Sequence, residues 1–152
     1  MESRVADAVA LFESGYNCAQ SVFATYADLL GMDRETALRM SSTMGAGIGR
    51  MREVCGTVSA MALLLGLKEG NADNADEAAK TRVYEKTREM ADRFKEENGS
   101  IICRELLGIM GREKSAAPSL RTAEYYAKRP CSRLVESAAR IVEENLFTTA
   151  EK

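Results

Sequence analysis

Residues 53–67 read EVCGTVSAMALLLGL, and this stretch decides the fold. Past Glu53 it carries no charge, and its apolar residues fall on every side of a helical wheel. A helix hydrophobic all round belongs at the centre of a bundle. Gly56, Thr57, Ser59 and Gly66 interrupt the stretch, and it falls short of the roughly 20 residues that span a bilayer. A buried core helix is therefore expected rather than a membrane-spanning one. The flanking segments repeat apolar residues at helical spacing, and no run of five or more residues shows the alternation of a strand. The expectation is an all-α, single-domain compact bundle of about six to seven helices over residues 1–152.

Upstream, a first helix from about Ser3 to Glu13 carries Val5, Ala8, Val9 and Phe12 on one face, and Gly15 breaks it. Asn17 with Gln20 makes a capping-box start. Val22, Phe23, Tyr26, Leu29 and Leu30 follow, and Gly31 closes that helix. Asp33 caps a third, with Ala37, Leu38 and Met40 inward, which gives way at Met44 to Gly45-Ala46-Gly47-Ile48-Gly49. Downstream, Gly70, Asn71, Asp73 and Asn74 form a turn. A long helix then runs from about Ala75 to Glu97, with Val83, Tyr84, Thr87, Met90, Ala91 and Phe94 at core spacing and a solvated face of mixed charge, and Gly99 ends it. A short helix spans about Cys103 to Leu107, a looser stretch passes Gly108, Gly111 and Pro118, and a last helix runs from Pro130 to about Leu146. It turns Leu134, Ala138, Ile141 and Val142 inward and leaves Glu143, Glu144 and the tail Thr148 to Lys152 in solvent.

Composition narrows the function. With 45% hydrophobic and 29% charged residues the chain is globular, and a net charge of -2 gives no electrostatic reason for a nucleic-acid or anionic-membrane partner. The amino terminus, MESRVADAVALF, carries Glu2 and Asp7 and does not read as a signal peptide, so a cytoplasmic location is expected. Histidine is absent. That removes Cys-His and Ser-His dyads and mixed Cys/His zinc sites. Tryptophan is absent too, and the few Tyr and Phe are too scattered for a nucleic-acid stacking platform.

The four cysteines, Cys18, Cys55, Cys103 and Cys131, each fall in the first turn of an expected helix, where free N–H groups and the helix dipole favour a thiolate. Arg50 and Arg52 precede Cys55, Arg104 follows Cys103, and Arg129 and Arg133 flank Cys131. A reducing cytoplasm makes permanent cross-links the minority reading. There is no Cys-x-x-Cys, so the thioredoxin motif and the usual zinc-ribbon and ferredoxin pairs are missing. A metal site would have to gather single cysteines from four helices. Each cysteine alone reads equally well as a small buried residue. Gly45, Gly47 and Gly49, followed by Arg50 and Arg52, suit an anion cradle or a close approach to Cys55, and equally a plain turn between helices. They match neither a dinucleotide fingerprint nor a P-loop. Tyr125 and Tyr126 either line a pocket near Cys131 or anchor the last connection to the core.

The chain resembles the C_GCAxxG_C_C family of redox-active proteins over most of its length. The resemblance is carried by Gly15-Tyr16-Asn17-Cys18-Ala19-Gln20, the glycine-rich approach Met44 to Gly49 leading to Glu53-Val54-Cys55-Gly56, Cys103-Arg104-Glu105-Leu106-Leu107-Gly108, and Cys131. It implies a redox role on an unknown substrate and, for many members, genes lying near transporter genes. Cys55 to Ala60 reads Cys-Gly-Thr-Val-Ser-Ala, so Thr57 and Ala60 stand where the family pattern has alanine and a final glycine. That departure bears on packing beside Cys55 more than on thiol chemistry.

The first expectation is accordingly a bacterial-type thiol–disulfide oxidoreductase or electron-transfer protein with a disulfide substrate or redox partner and no cofactor. Cys55 is expected to be the nucleophile, Cys18 its resolving partner, and Cys103 and Cys131 further members of the site. The alternatives are a cysteine-ligated soft metal or iron–sulfur cluster, or a transporter-associated structural module with inert buried thiols.

Overall fold

The computed structural model describes residues 1–148, so the expected tail at 149–152 lies outside the described residues. Eight right-handed helices follow in order: α1 (Val5–Glu13), α2 (Cys18–Ala27), α3 (Arg34–Ser41), α4 (Gly56–Glu69), α5 (Glu77–Asn98), α6 (Cys103–Leu107), α7 (Ala123–Lys128) and α8 (Cys131–Val142). Among the described residues there is no strand, only an isolated antiparallel bridge between Val54 and Ile102. The protein is an all-α bundle.

Local chemistry sets the helix starts. Asn17 Oδ1 accepts from the Gln20 N–H at 2.8 Å while Gln20 Oε1 accepts from the Asn17 N–H at 3.1 Å, closing the expected capping box on α2. Asp33 caps α3 through the Thr36 N–H and Asp76 caps α5 through the Ala79 N–H, each at 2.9 Å. Helix α7 lies in the stretch expected to be loose, and it is started by Thr122, whose hydroxyl accepts from the Tyr125 N–H. The last helix changes pitch at Glu143 into one π turn through Phe147.

The bundle is centred on α2 and α4, which share its largest helix–helix interface. Every residue of α2 except Gln20 is buried. Its polar members are satisfied within the helix, Ser21 and Thr25 donating to the carbonyls of Asn17 and Ser21. Phe12, Phe23, Met61, Leu64, Phe94 and Ile141 fill the surrounding core, each worth about 1.5–3 kcal/mol when fully buried. Helix α8 packs on α1, and α5 lies against α4 and α8.

Two expected core residues face solvent. In α3 the inward pair is Ala37 and Ser41, and Met40, half exposed, lies one step round the helix from that face. In α5 the seam runs Val83, Thr87, Met90, Phe94, and Tyr84, about 100° beyond it, is 71% exposed.

Candidate functional site

The segment between α3 and α4 does something glycine spacing alone does not announce. Ala46, Gly47, Ile48, Gly49 and Arg50 all adopt positive φ, between 54° and 68°, and Arg52 does so again. This is a left-handed helical turn built partly from non-glycine residues. Each non-glycine there costs roughly 1–2 kcal/mol, so the surroundings must hold it. They do so at several points. Arg52 N–H donates to Ala46 O and Glu53 N–H to Gly47 O. Gly45 packs on Asn17, where a Cβ would lie 2.5 Å from the side chain. At Gly47, with φ of 68°, a Cβ would come within 2.8 Å of Cys103 Cβ and 2.7 Å of the Glu53 nitrogen. The expected glycine loop is thus a fixed turn that places its backbone against Cys18 and Cys103.

The chain then brings the approaches to Cys55 and Cys103 side by side. Around the Val54–Ile102 bridge, Cys55 N–H donates to Ile101 O at 2.8 Å and Cys103 N–H donates to Glu53 O at 2.6 Å. Cys18 opens α2, Cys55 is the N-cap residue of α4, Cys103 opens α6 and Cys131 opens α8. All four are free thiols and all four line one cavity of about 340 Å³. Cys18, Cys55 and Cys103 are 9%, 4% and 7% exposed, with Cys131 half-buried.

The four sulfurs are not equivalent. Cys18 is held well below the usual thiol range, first by a hydrogen bond from the Cys55 thiol and then, against the opposing effect of burial, by the backbone N–H groups of Ala46, Ala19 and Cys18 itself. Cys55 is raised in turn by that hydrogen bond to Cys18 and by burial, and its sulfur lies 3.1 Å from the Thr57 hydroxyl. Thr57, one of the two departures from the family pattern, therefore turns its oxygen to the neighbouring thiol. Burial pushes the Cys103 thiol up, partly offset by the Arg52 guanidinium, whose Nη1 donates to Cys103 Sγ at 3.7 Å. Cys131 is pushed up to about 12, by burial first and by its Cys18 and Cys103 neighbours next.

Three arginines line the same cavity. Arg52, only 4% exposed, bonds Cys103 and Glu113 rather than the Cys55 it precedes. Arg50 donates to Ser115 O and Ser119 Oγ, each at 3.0 Å, tying down the segment 109–122 as one wall. Arg121, which sequence reading did not single out, stacks its guanidinium on Phe12 at 4.5 Å and Tyr125 at 4.9 Å. It also donates to the carbonyls of Phe12 and Tyr16. Tyr125 lines the cavity, whereas Tyr126 anchors the connection, packing edge-on against Phe12 and donating to Glu13 O. Arg104 pairs with Glu53 at 2.8 Å, away from the thiols.

Among the described residues no group of three or more His, Cys, Asp or Glu side chains is gathered closely enough to hold a metal ion. No helix among them is long and apolar enough to cross a membrane. A family model described as "Putative redox-active protein (C_GCAxxG_C_C)" matches residues 16–145, a span holding all four cysteines, the left-handed turn and the cavity lining other than Phe12. No curated protein and no solved structure matches the chain. The chain belongs to the C_GCAxxG_C_C family.

Proposed function

We propose that this member of the C_GCAxxG_C_C family is a thiol–disulfide exchange protein of a reducing, cytoplasmic compartment, with Cys18 as nucleophile and Cys55 as the resolving thiol. The observation that carries the reading is geometric: four free thiols at helix starts line one cavity, and among them the neighbouring Cys18 and Cys55 perturb each other most directly, Cys18 downward and Cys55 upward. The pair is the one the sequence suggested, Cys55 with Cys18; the lowered Cys18 thiol favours Cys18 as the attacking member.

The Cys18 thiolate attacks one sulfur of a disulfide R–S–S–R′. A Cys18–S–S–R bond forms, the R–S–S–R′ bond breaks, and R′S⁻ leaves with the electron pair. Cys55 is the nearest proton source for that leaving thiolate. Once Cys18 is in the mixed disulfide, the negative charge that held the Cys55 proton is gone, so the largest cause of its raised pKa disappears. The Cys55 thiolate attacks the Cys18 sulfur, closing a Cys18–Cys55 disulfide and releasing RS⁻. The substrate gains two electrons and becomes two thiols, and an external dithiol reductant restores the protein. Cys103 and Cys131 remain protonated at neutral pH, a second dithiol facing the same space.

Differential alkylation with mass mapping, before and after mild oxidation, tests this. The expected product is a Cys18–Cys55 disulfide that a dithiol reverses. Thiols that stay unlabelled until the protein is denatured, and never change state, would sink the proposal and favour a module with inert thiols.

A further inference from the structure

We infer that the disulfide this cavity takes is a small anionic one, a low-molecular-weight disulfide carrying carboxylates, rather than a protein disulfide or a neutral or cationic compound. The inference rests on the exchange reading above and adds the substrate class to it.

Size comes first. Ligand cavities for small molecules span about 300–1,000 Å³, and this one, at about 340 Å³, lies at the small end. Cys18 and Cys55 line it nearly fully buried, and the 109–122 segment, pinned by Arg50, contributes Ala116, Pro118, Ser119 and Arg121 to the wall. A disulfide within a folded protein would have to bring its flanking backbone through that wall. A short, flexible disulfide reaches these buried thiols alone.

Charge comes second. Arg50, Arg52 and Arg121 line the cavity, and one carboxylate answers two of them, Glu113 at 3.8 Å from Arg50 and 3.3 Å from Arg52. Among the described residues Arg121 has no carboxylate within ion-pair distance. Its partners are two carbonyls, the Tyr126 hydroxyl and the faces of Phe12, Tyr125 and Tyr126. These fix a planar cation at the cavity wall without neutralising it. With Cys18 as thiolate the lining stays positive, and no Asp or Glu side chain lines the cavity. Carboxylates on the substrate supply the missing anions while its central disulfide is presented to Cys18.

Three disulfides of matched size decide the matter: 3,3′-dithiodipropionate (dianionic), 2-hydroxyethyl disulfide (neutral) and cystamine (dicationic), each mixed with fully reduced protein and followed by trapped-thiol mass spectrometry. The dianion is expected to oxidise Cys18 fastest and the dication slowest. A spread of at least about tenfold at low ionic strength should shrink with added salt. In Arg121→Gln the spread should narrow severalfold, while Arg121→Lys should keep the order. Should Arg121→Gln fail to fold, the order and salt dependence of the unaltered protein still decide. Equal rates for the three compounds, or reduction of insulin as fast as that of the dianion, would overturn the substrate class and leave thiol exchange standing. If none of the three reacts with the folded protein while all react with the denatured chain, the exchange reading itself falls.

Discussion

Two of the cavity's walls carry cysteines at helix starts, Cys18 and Cys55 on α2 and α4, Cys103 and Cys131 on α6 and α8. On the α2/α4 wall Cys18 is stabilised as a thiolate, whereas on the α6/α8 wall Cys131, which likewise opens a helix, is pushed up to about 12. The helix dipole is common to both and so does not explain the difference. What differs is the donors. Cys18 receives a thiol and several backbone N–H groups, one delivered by the left-handed turn at Ala46, while Cys131 is buried beside two other sulfurs with only the field of Arg129 and Arg121 to oppose that. Burial raises a thiol's pKa unless hydrogen bonds to the charged form outweigh it. The proposed difference in reactivity follows the donors around each sulfur, not its position in a helix.

Breaking the α2/α4 wall should have the largest effect. Cys18→Ser is expected to lower alkylation of the native protein at pH 7 by roughly two orders of magnitude, and Cys131→Ser to change it little. Equal losses in the two variants would erase the distinction between the walls. Next is Arg52→Met, which strips Cys103 and Glu113 of a buried partner. Because Glu113 is partly solvated, a loss of about 2 kcal/mol in a urea titration is expected, below the range for a fully buried pair. Gly56→Ala places a methyl 2.7 Å from Cys18 Sγ and 2.8 Å from the Met44 carbonyl. The expected loss is about 1.5 kcal/mol, with Cys18 displaced from its donors and its thiolate absorbance titrating at higher pH. The smallest effect sharpens the opposite wall. Folded Cys131 keeps its proton up to about pH 12 while the unfolded chain releases it near 9. The unfolded state then binds fewer protons, so stability falls as pH rises through that window. The fall should be at most about 1 kcal/mol between pH 9 and 10, given the partial exposure of Cys131, and it should vanish in Cys131→Ser. Cys18 has the opposite sign: its contribution is present at alkaline pH and is lost as pH falls through its depressed folded pKa.

Much of this was legible in the chain. Asn17 with Gln20 and Asp33 are local signals acting over three residues, and both cap helices in the structure, whereas the cap of α5, Asp76, stands just inside the helix expected from about Ala75. The four cysteines could be named because each stands at a helix start, and a shared cavity is where those starts meet. Distinguishing among them required long-range facts. Arg52 precedes Cys55 by three residues but serves Cys103, because the left-handed turn reverses the chain and the Val54–Ile102 bridge draws α6 alongside. Arg121 was invisible for the same reason: it stands in a stretch without periodicity, and its partners Phe12 and Tyr16 lie more than a hundred residues away. Tyr84 and Met40 were misplaced by periodicity itself, which marks a wide apolar sector but not which edge of it the neighbouring helix covers.

The left-handed turn also bears on when the protein becomes reactive. Ala46, Ile48 and Arg50 have no local reason to sit at positive φ, so the segment takes its shape only after the chain has reached Ile101 to Arg104, whose backbone bonds and Cys103 side chain brace it. Until then neither Cys55, whose N–H is held by Ile101 O, nor the Ala46 N–H is fixed beside Cys18, whose thiol behaves as an ordinary one. A chain that has not yet reached Ile101 would thus carry Cys18 and Cys55 as commonplace thiols, and the proposed nucleophile would be armed only once α6 is in place.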